Sequence, residues 1–153
     1  VRPWTPPDRE ACLAIVRGLP DFFTEDVPET VRRDLEEFPA WVVTDDEIVA
    51  GFAVVKQTTP RAAELLWAVV AAASRHGGLG RVLVDTVLAD LARRDVLLVE
   101  AKTVDASAGP PHDGTCAFWE SAGFLQIDTI DPLPGWQPGN PSAIYVAALG
   151  STR

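Results

Sequence analysis

Six consecutive residues, Arg75-His76-Gly77-Gly78-Leu79-Gly80, stand between an apolar run and a segment of helical period. Amides at a helix N-terminus point outward unpaired and carry the positive end of the helix dipole, so a loop with little side-chain bulk can dock a pyrophosphate there. Gly77, Gly78 and Gly80 give that access. A tight strand-to-helix turn also calls for glycine on steric grounds alone, and both readings stay open at this point. Two other glycine-rich sites are excluded. Gly80 is followed by Arg81 and Val82, not by Lys-Ser/Thr, and Leu83 stands where a dinucleotide fingerprint has its third small residue.

The elements around the loop follow from periodicity. Ala62 to Val70 reads as a strand, Gly80 to Arg94 as a helix through Val84, Val87, Leu88 and Leu91, and Val96 to Glu100 as a strand, which together make a βαβ crossover. Upstream, Thr5 is an N-cap with Pro6 in the first turn, ahead of a stripe formed by Ala11, Cys12, Ile15, Val16 and Leu19. A second helix spans Asp26 to Phe38. Trp41 to Thr44 and Ile48 to Lys56 form a hairpin about the acidic turn Asp45-Asp46-Glu47. Downstream, His112 to Ser121 is a short helix with Gly123 as a left-handed cap, and Phe124 to Ile130 and Ala143 to Leu149 are the last strands. The Pro/Gly-rich link between those strands carries Trp136 and is long enough to reach over a site.

With 153 residues, 47% of them hydrophobic and 23% charged, the chain is expected to form one domain over 1–153. No run approaches the roughly 18 apolar residues of a membrane span, and Val1-Arg2-Pro3-Trp4 lacks the layout of a signal peptide, so a cytoplasmic location away from membranes is expected. Cys12 and Cys116 are expected as reduced thiols. A formal net charge of -9 repels nucleic acid and anionic lipid and attracts small cations, which suits an amine substrate as well as simple solubility. The spacing of His76, His112, Cys12 and Cys116 matches no zinc pattern, so no metal is expected.

The strand Ala63-Glu64-Leu65-Leu66-Trp67-Ala68-Val69-Val70 followed by Arg75-His76-Gly77-Gly78-Leu79-Gly80 resembles the GNAT superfamily of acyl-CoA-dependent N-acyltransferases, whose loop reads Arg/Gln-x-x-Gly-x-Gly/Ala. Ala117-Phe118-Trp119-Glu120-Ser121-Ala122-Gly123-Phe124 is similar to that family's second signature, Ala-Phe-Tyr-x-x-x-Gly-Phe. The resemblance covers essentially the whole chain in element order. It implies an α/β (α+β) fold with a mixed, mostly antiparallel seven-stranded sheet, splayed central strands and about four flanking helices. It also implies acetyl-CoA as co-substrate. Amides of Ala68, Val69 and Val70 would pair with the pantetheine arm. Those of Arg75, His76, Gly77, Gly78, Leu79, Gly80 and Arg81 would hold the pyrophosphate, with the Arg75 and Arg81 side chains adding charge. A homodimer is common in such proteins, with the final strands as contact sites.

The chain departs from the family pattern at four places. His76 replaces a frequent glycine, Ala72 a common proline and Gly114 an asparagine that often contacts the cofactor. Trp119, at a cofactor-facing position, replaces the tyrosine that many members use to protonate the leaving thiolate; an indole N–H donates a hydrogen bond but is no usable acid.

An alkylamine of pKa about 10.4 must lose a proton before it attacks a thioester. Glu64 matches in position the glutamate that serves as base in some members, and by period two it shares a face with Leu66, Ala68 and Val70; it is equally an ordinary polar residue at a strand start. Tyr145, Cys116 and solvent are the candidate acids, Tyr145 first among them. Trp41, Trp67 and Trp136 are candidate walls of an acceptor pocket, with core packing the competing use. The leading reading is an N-acetyltransferase acting on a small cationic amine or a protein amine by direct attack. The alternatives are a non-catalytic acyl-CoA-binding sensor or scaffold of the same fold, motivated by Trp119, and an interaction module that binds no cofactor.

Overall fold

The computed structural model describes residues 1–150. Seven strands form a sheet of order β1-β2-β3-β4-β5-β7-β6: β1 Arg2–Pro3, β2 Ala40–Asp45, β3 Ile48–Thr59, β4 Ala62–Val70, β5 Leu98–Val104, β6 Leu125–Ile130 and β7 Ser142–Ala148. The helices are α1 Arg9–Arg17, α2 Val27–Glu37, α3 Leu79–Arg93 and α4 His112–Ser121. Every pair with a described register, β1/β2, β2/β3, β5/β7 and β6/β7, is antiparallel. The expected seven-stranded, mostly antiparallel sheet with four helices is present. Among the described residues no helix is long and apolar enough to cross a membrane.

Contacts divide the chain into two compact units. The first holds Val1–Lys56 and Leu65–Leu91. Its core gathers Cys12, Leu13, Val16, Val31, Leu35, Val42, Phe52 and Val54, with Phe22, Phe23 and Trp67 packed against it. The apolar stripes of α1 and α2 face this core, as their period requires. Sequence reading missed β1, since a two-residue strand carries no periodic signal; it pairs Arg2 with Val42 and Pro3 with Trp41. Asp8 fixes this end. It accepts Arg2 in a two-pronged pair at 2.8 and 2.9 Å and the Thr5 amide at 2.9 Å, which together draw its pKa down to about 2. Burial pushes the Cys12 thiol up to about 12, so it behaves as an inert apolar group.

At Gly51 on β3 the backbone of β4 comes close. A Cβ there would lie 2.7 Å from the Val69 carbonyl oxygen on β4 and 3.0 Å from Val43 Cγ1. Only glycine allows that approach.

The second unit holds Gln57–Glu64 and the residues from Ala92 onward. The turn before β5 takes Asp95 through a positive φ of 66°, and Leu97 and Leu98 donate to the Arg61 carbonyl, so β5 starts at Leu98 and not at Val96 as periodicity predicted. Its centre is β7, which pairs with β5 from Ser142 to Ala148 and with β6 on its other side. The α4 bounds match the expected His112 to Ser121, and Gly123 closes that helix at φ 93°.

Candidate active site

In the first unit, β4 leads through a short turn, Ala72–Ser74, into the glycine loop. Val82 N–H donates to Gly78 O at 3.1 Å, so Gly78 is the cap of α3 and the amides of Leu79, Gly80 and Arg81 precede the first intrahelical donor. His76 has φ 67° and Gly78 φ 80°, and this alternation turns the backbone toward one side. A Cβ built on Gly78 meets no atom within 4 Å, so its glycine answers to conformation and the space beside it at the start of α3 is open. The loop therefore combines a helix N-terminus with open space beside Gly78.

The two arginines of the loop differ. Arg75 lies over Phe22, its Cζ 4.6 Å from the ring centroid, and burial lowers its pKa without removing its charge. Arg81 turns down its own helix to Asp85, at 2.9 and 3.1 Å. Arg75 is thus the less neutralised cation beside the loop. Behind it, Trp67 donates Nε1–H to Asp34 Oδ2 at 2.8 Å and meets the Phe23 ring edge-on at 5.9 Å. Trp41 is buried in β2 opposite Ala53. Ala68 and Val70 are half-buried on the β4 face they share with Glu64 and Leu66, while Val69 is buried on the other.

In the second unit, Glu64 does not stand alone. Lys102 on β5 donates to Glu64 Oε1 at 3.4 Å and lies 3.3 Å from Glu100 Oε1. The Glu64 side chain is 18% exposed and that of Lys102 34%. Partial burial opposes the charge on Lys102, but the two carboxylates outweigh it and raise the pKa of its ammonium.

Tyr145 is wholly buried on β7, not at a rim, and its hydroxyl donates to Glu120 Oε1 on α4 at 3.2 Å. Burial, with Cys116 and Glu120 beside it, raises its pKa. Cys116 donates its thiol hydrogen to the Val104 carbonyl at 3.4 Å, and burial raises its pKa too. Trp119 is buried, with Phe118 and Phe124 edge-on at 5.2 and 4.9 Å. Trp136 is half-buried in the link after β6, its amide donating to Leu133 O.

Glu64 and Lys102, and Tyr145 and Glu120, are brought together inside the second unit. Trp41 and Trp67 belong to the first unit, and Trp136 to the second. Sequence reading missed Lys102, Glu100, Glu120 and Phe22 as neighbours of functional candidates. Period two places Glu100 and Lys102 on one face of β5, the one signal available for them. Among the described residues no group of three or more His, Cys, Asp or Glu side chains is placed to hold a metal.

Residues 12–124 match the model of the Acetyltransferase (GNAT) family. No curated protein matches the chain. Among solved structures, a protein assigned to the GNAT family of acetyltransferases from Desulfovibrio desulfuricans aligns at TM-score 0.85 and 24% identity, covering 97% of this chain and 98% of its own. The ribosomal-protein-S18-alanine N-acetyltransferase of Escherichia coli aligns at TM-score 0.78 and 18% identity, covering 99% and 94%. An aminoglycoside 6'-N-acetyltransferase complexed with coenzyme A aligns at 0.75 and 17%, covering 97% and 94%.

Proposed function

Because the chain belongs to the GNAT family of acetyltransferases, we propose that it moves an acetyl group from acetyl-CoA to a primary amine by direct attack. The observation that carries this reading is the clear mouth of α3, where Gly78 at φ 80° faces open space and the helix presents its first amides. Acetyl-CoA is a substrate whose pyrophosphate fits these donors. Arg75 through Arg81 would hold it by backbone amides, Arg75 adding charge, and the β4 edge from Ala68 to Val70 would pair with the pantetheine arm. Trp119 adds an apolar surface on the cofactor side, not a proton.

Glu64 is the base of this reading. It takes the proton from the bound alkylammonium, directly or through water, and the freed nitrogen attacks the thioester carbonyl. The carbon–sulfur bond then breaks and the thiolate leaves. Tyr145 is the candidate to return a proton to sulfur, but a phenol whose pKa has been raised gives it up reluctantly. Solvent therefore carries much of that step, and positioning carries much of the rate. The relatives named for aminoglycoside and ribosomal-protein alanine acceptors are N-acetyltransferases, which supports an amine acceptor here; so does the net charge of -9. Trp136, half-buried in the link after β6, is a proposed acceptor wall in the second unit. Free thiols at Cys12 and Cys116 suit a reducing compartment such as the cytoplasm. The exposed Leu125, Ile127 and Ile130 of β6 suit contact with a second copy in a homodimer.

Calorimetry with CoA, followed by CoA release from acetyl-CoA across an amine panel, tests the proposal. Micromolar CoA affinity and amine-dependent release are expected. Binding without turnover of any amine would favour a sensor role, and no CoA binding would end both readings.

A further inference from the structure

The strand pair bearing the proposed base already holds an alkylammonium, and it belongs to the protein. Lys102 Nζ lies between Glu64 Oε1 at 3.4 Å and Glu100 Oε1 at 3.3 Å. Chemically, an ε-ammonium on an unbranched chain is the same object as a primary alkylamine substrate in its protonated form. Direct deprotonation by Glu64 brings the substrate nitrogen to the carboxylate whose Oε1 Lys102 contacts. Two ammonium groups held at one carboxylate repel each other, which favours release of the more weakly held one.

We propose that Lys102 is the resident occupant of the acceptor's ammonium position and that it competes in cis with the substrate, which is an unbranched primary alkylammonium. This deepens the proposed function and rests on its assignment of Glu64 as the base. Three features support displacement over a fixed structural pair. About a third of the Lys102 side chain is exposed, so its ammonium has a route out to water. Glu100, 38% exposed, lies on the same strand two residues away and can keep hold of the ammonium after Glu64 releases it. Finally, ion pairs at this degree of exposure are weak, so an incoming ammonium can replace the contact at little cost. While no substrate is present, Lys102 keeps the Glu64 carboxylate from standing half-buried and unpaired.

The test uses cadaverine, a linear diamine, as acceptor at saturating acetyl-CoA, and compares the wild-type protein with Lys102→Met, Lys102→Arg and Glu64→Gln. Removing the resident cation should lower the KM for cadaverine about two- to five-fold, the range that a weak, part-exposed pair allows. Lys102→Arg, which restores a cation, should return KM toward the wild-type value. A fall in kcat with KM unmoved, or a rise in KM, overturns the proposal, because a structural or base-orienting lysine predicts those results. Titration of cadaverine into the CoA-bound protein gives a readout without turnover. Tighter binding by Lys102→Met supports displacement; equal, weaker or absent binding overturns it. Lys102→Gln, close in length and polarity, repeats the measurement if the methionine variant folds poorly. A Glu64→Gln enzyme with undiminished kcat would instead remove the base assignment, and the titration would still decide whether Lys102 competes.

Discussion

The glycine loop of the first unit and the Glu64–Lys102 cluster of the second solve opposite problems. The loop is built from main chain, with the N-terminal turn of α3 following Gly78 and open space beside that glycine. The cluster is built from side chains, and each of its charges already has a partner. A ligand with fixed chemistry, a pyrophosphate, can be met by an empty, rigid cradle. An acceptor that arrives charged and must lose a proton needs a carboxylate, and a half-buried carboxylate needs a counterion until the acceptor comes. Readiness means vacancy in one region and occupancy in the other.

Five substitutions break or sharpen that contrast. Gly78→Glu places a carboxylate in the clear space before α3 and strains a backbone at φ 80°. CoA affinity by calorimetry should fall by more than about 100-fold, as expected where like charges meet among dipoles chosen for an anion. Glu64→Gln should lower kcat/KM for the amine by about 100-fold, the usual scale for losing a general base. CoA affinity should stay as it was, and that separation is what distinguishes the two regions. Arg75→Ala should weaken CoA about tenfold, against less than about threefold for Arg81→Ala, because Asp85 already holds the Arg81 head while Arg75 lies on Phe22. Equal effects would mean that Arg81 leaves Asp85 when the ligand binds. Tyr145→Phe should cost kcat less than about tenfold in single-turnover measurements, since a raised pKa makes the phenol a poor donor. A loss of about 100-fold or more would make Tyr145 the principal acid after all.

What sequence alone discloses follows the same division. Gly77, Gly78 and Gly80 ahead of a helical stripe mark the loop because a backbone site is a local object, spanning a few adjacent residues. The bounds of β4 and α4 were readable for a similar reason, each being a periodic run between turn residues. The companion of Glu64 was not. Lys102 is 38 positions away, beyond the Val96 to Glu100 run read as the strand, and local pattern does not give the register between strands. Tyr145 shows the same limit: its lone hydroxyl invites a rim position, while pairing of β7 on both sides buries it against Glu120. Trp67, read as an acceptor wall, has a bond to Asp34 on α2 that no spacing rule anticipates. At β5 the strand start moved by two residues because Asp95 takes a left-handed turn that an aspartate signals only weakly.

The squeeze at Gly51 carries a practical lesson. Its Cα faces the Val69 carbonyl so closely that even one methyl group, 2.7 Å away, would shove β4 sideways. That strand's other residues, Ala68 and Val70, are those proposed to align the pantetheine arm. An alanine at this spot, pressing on both Val69 and Val70, would thus detune acyl-donor alignment from behind, and a mutational survey confined to residues touching the ligand would overlook it.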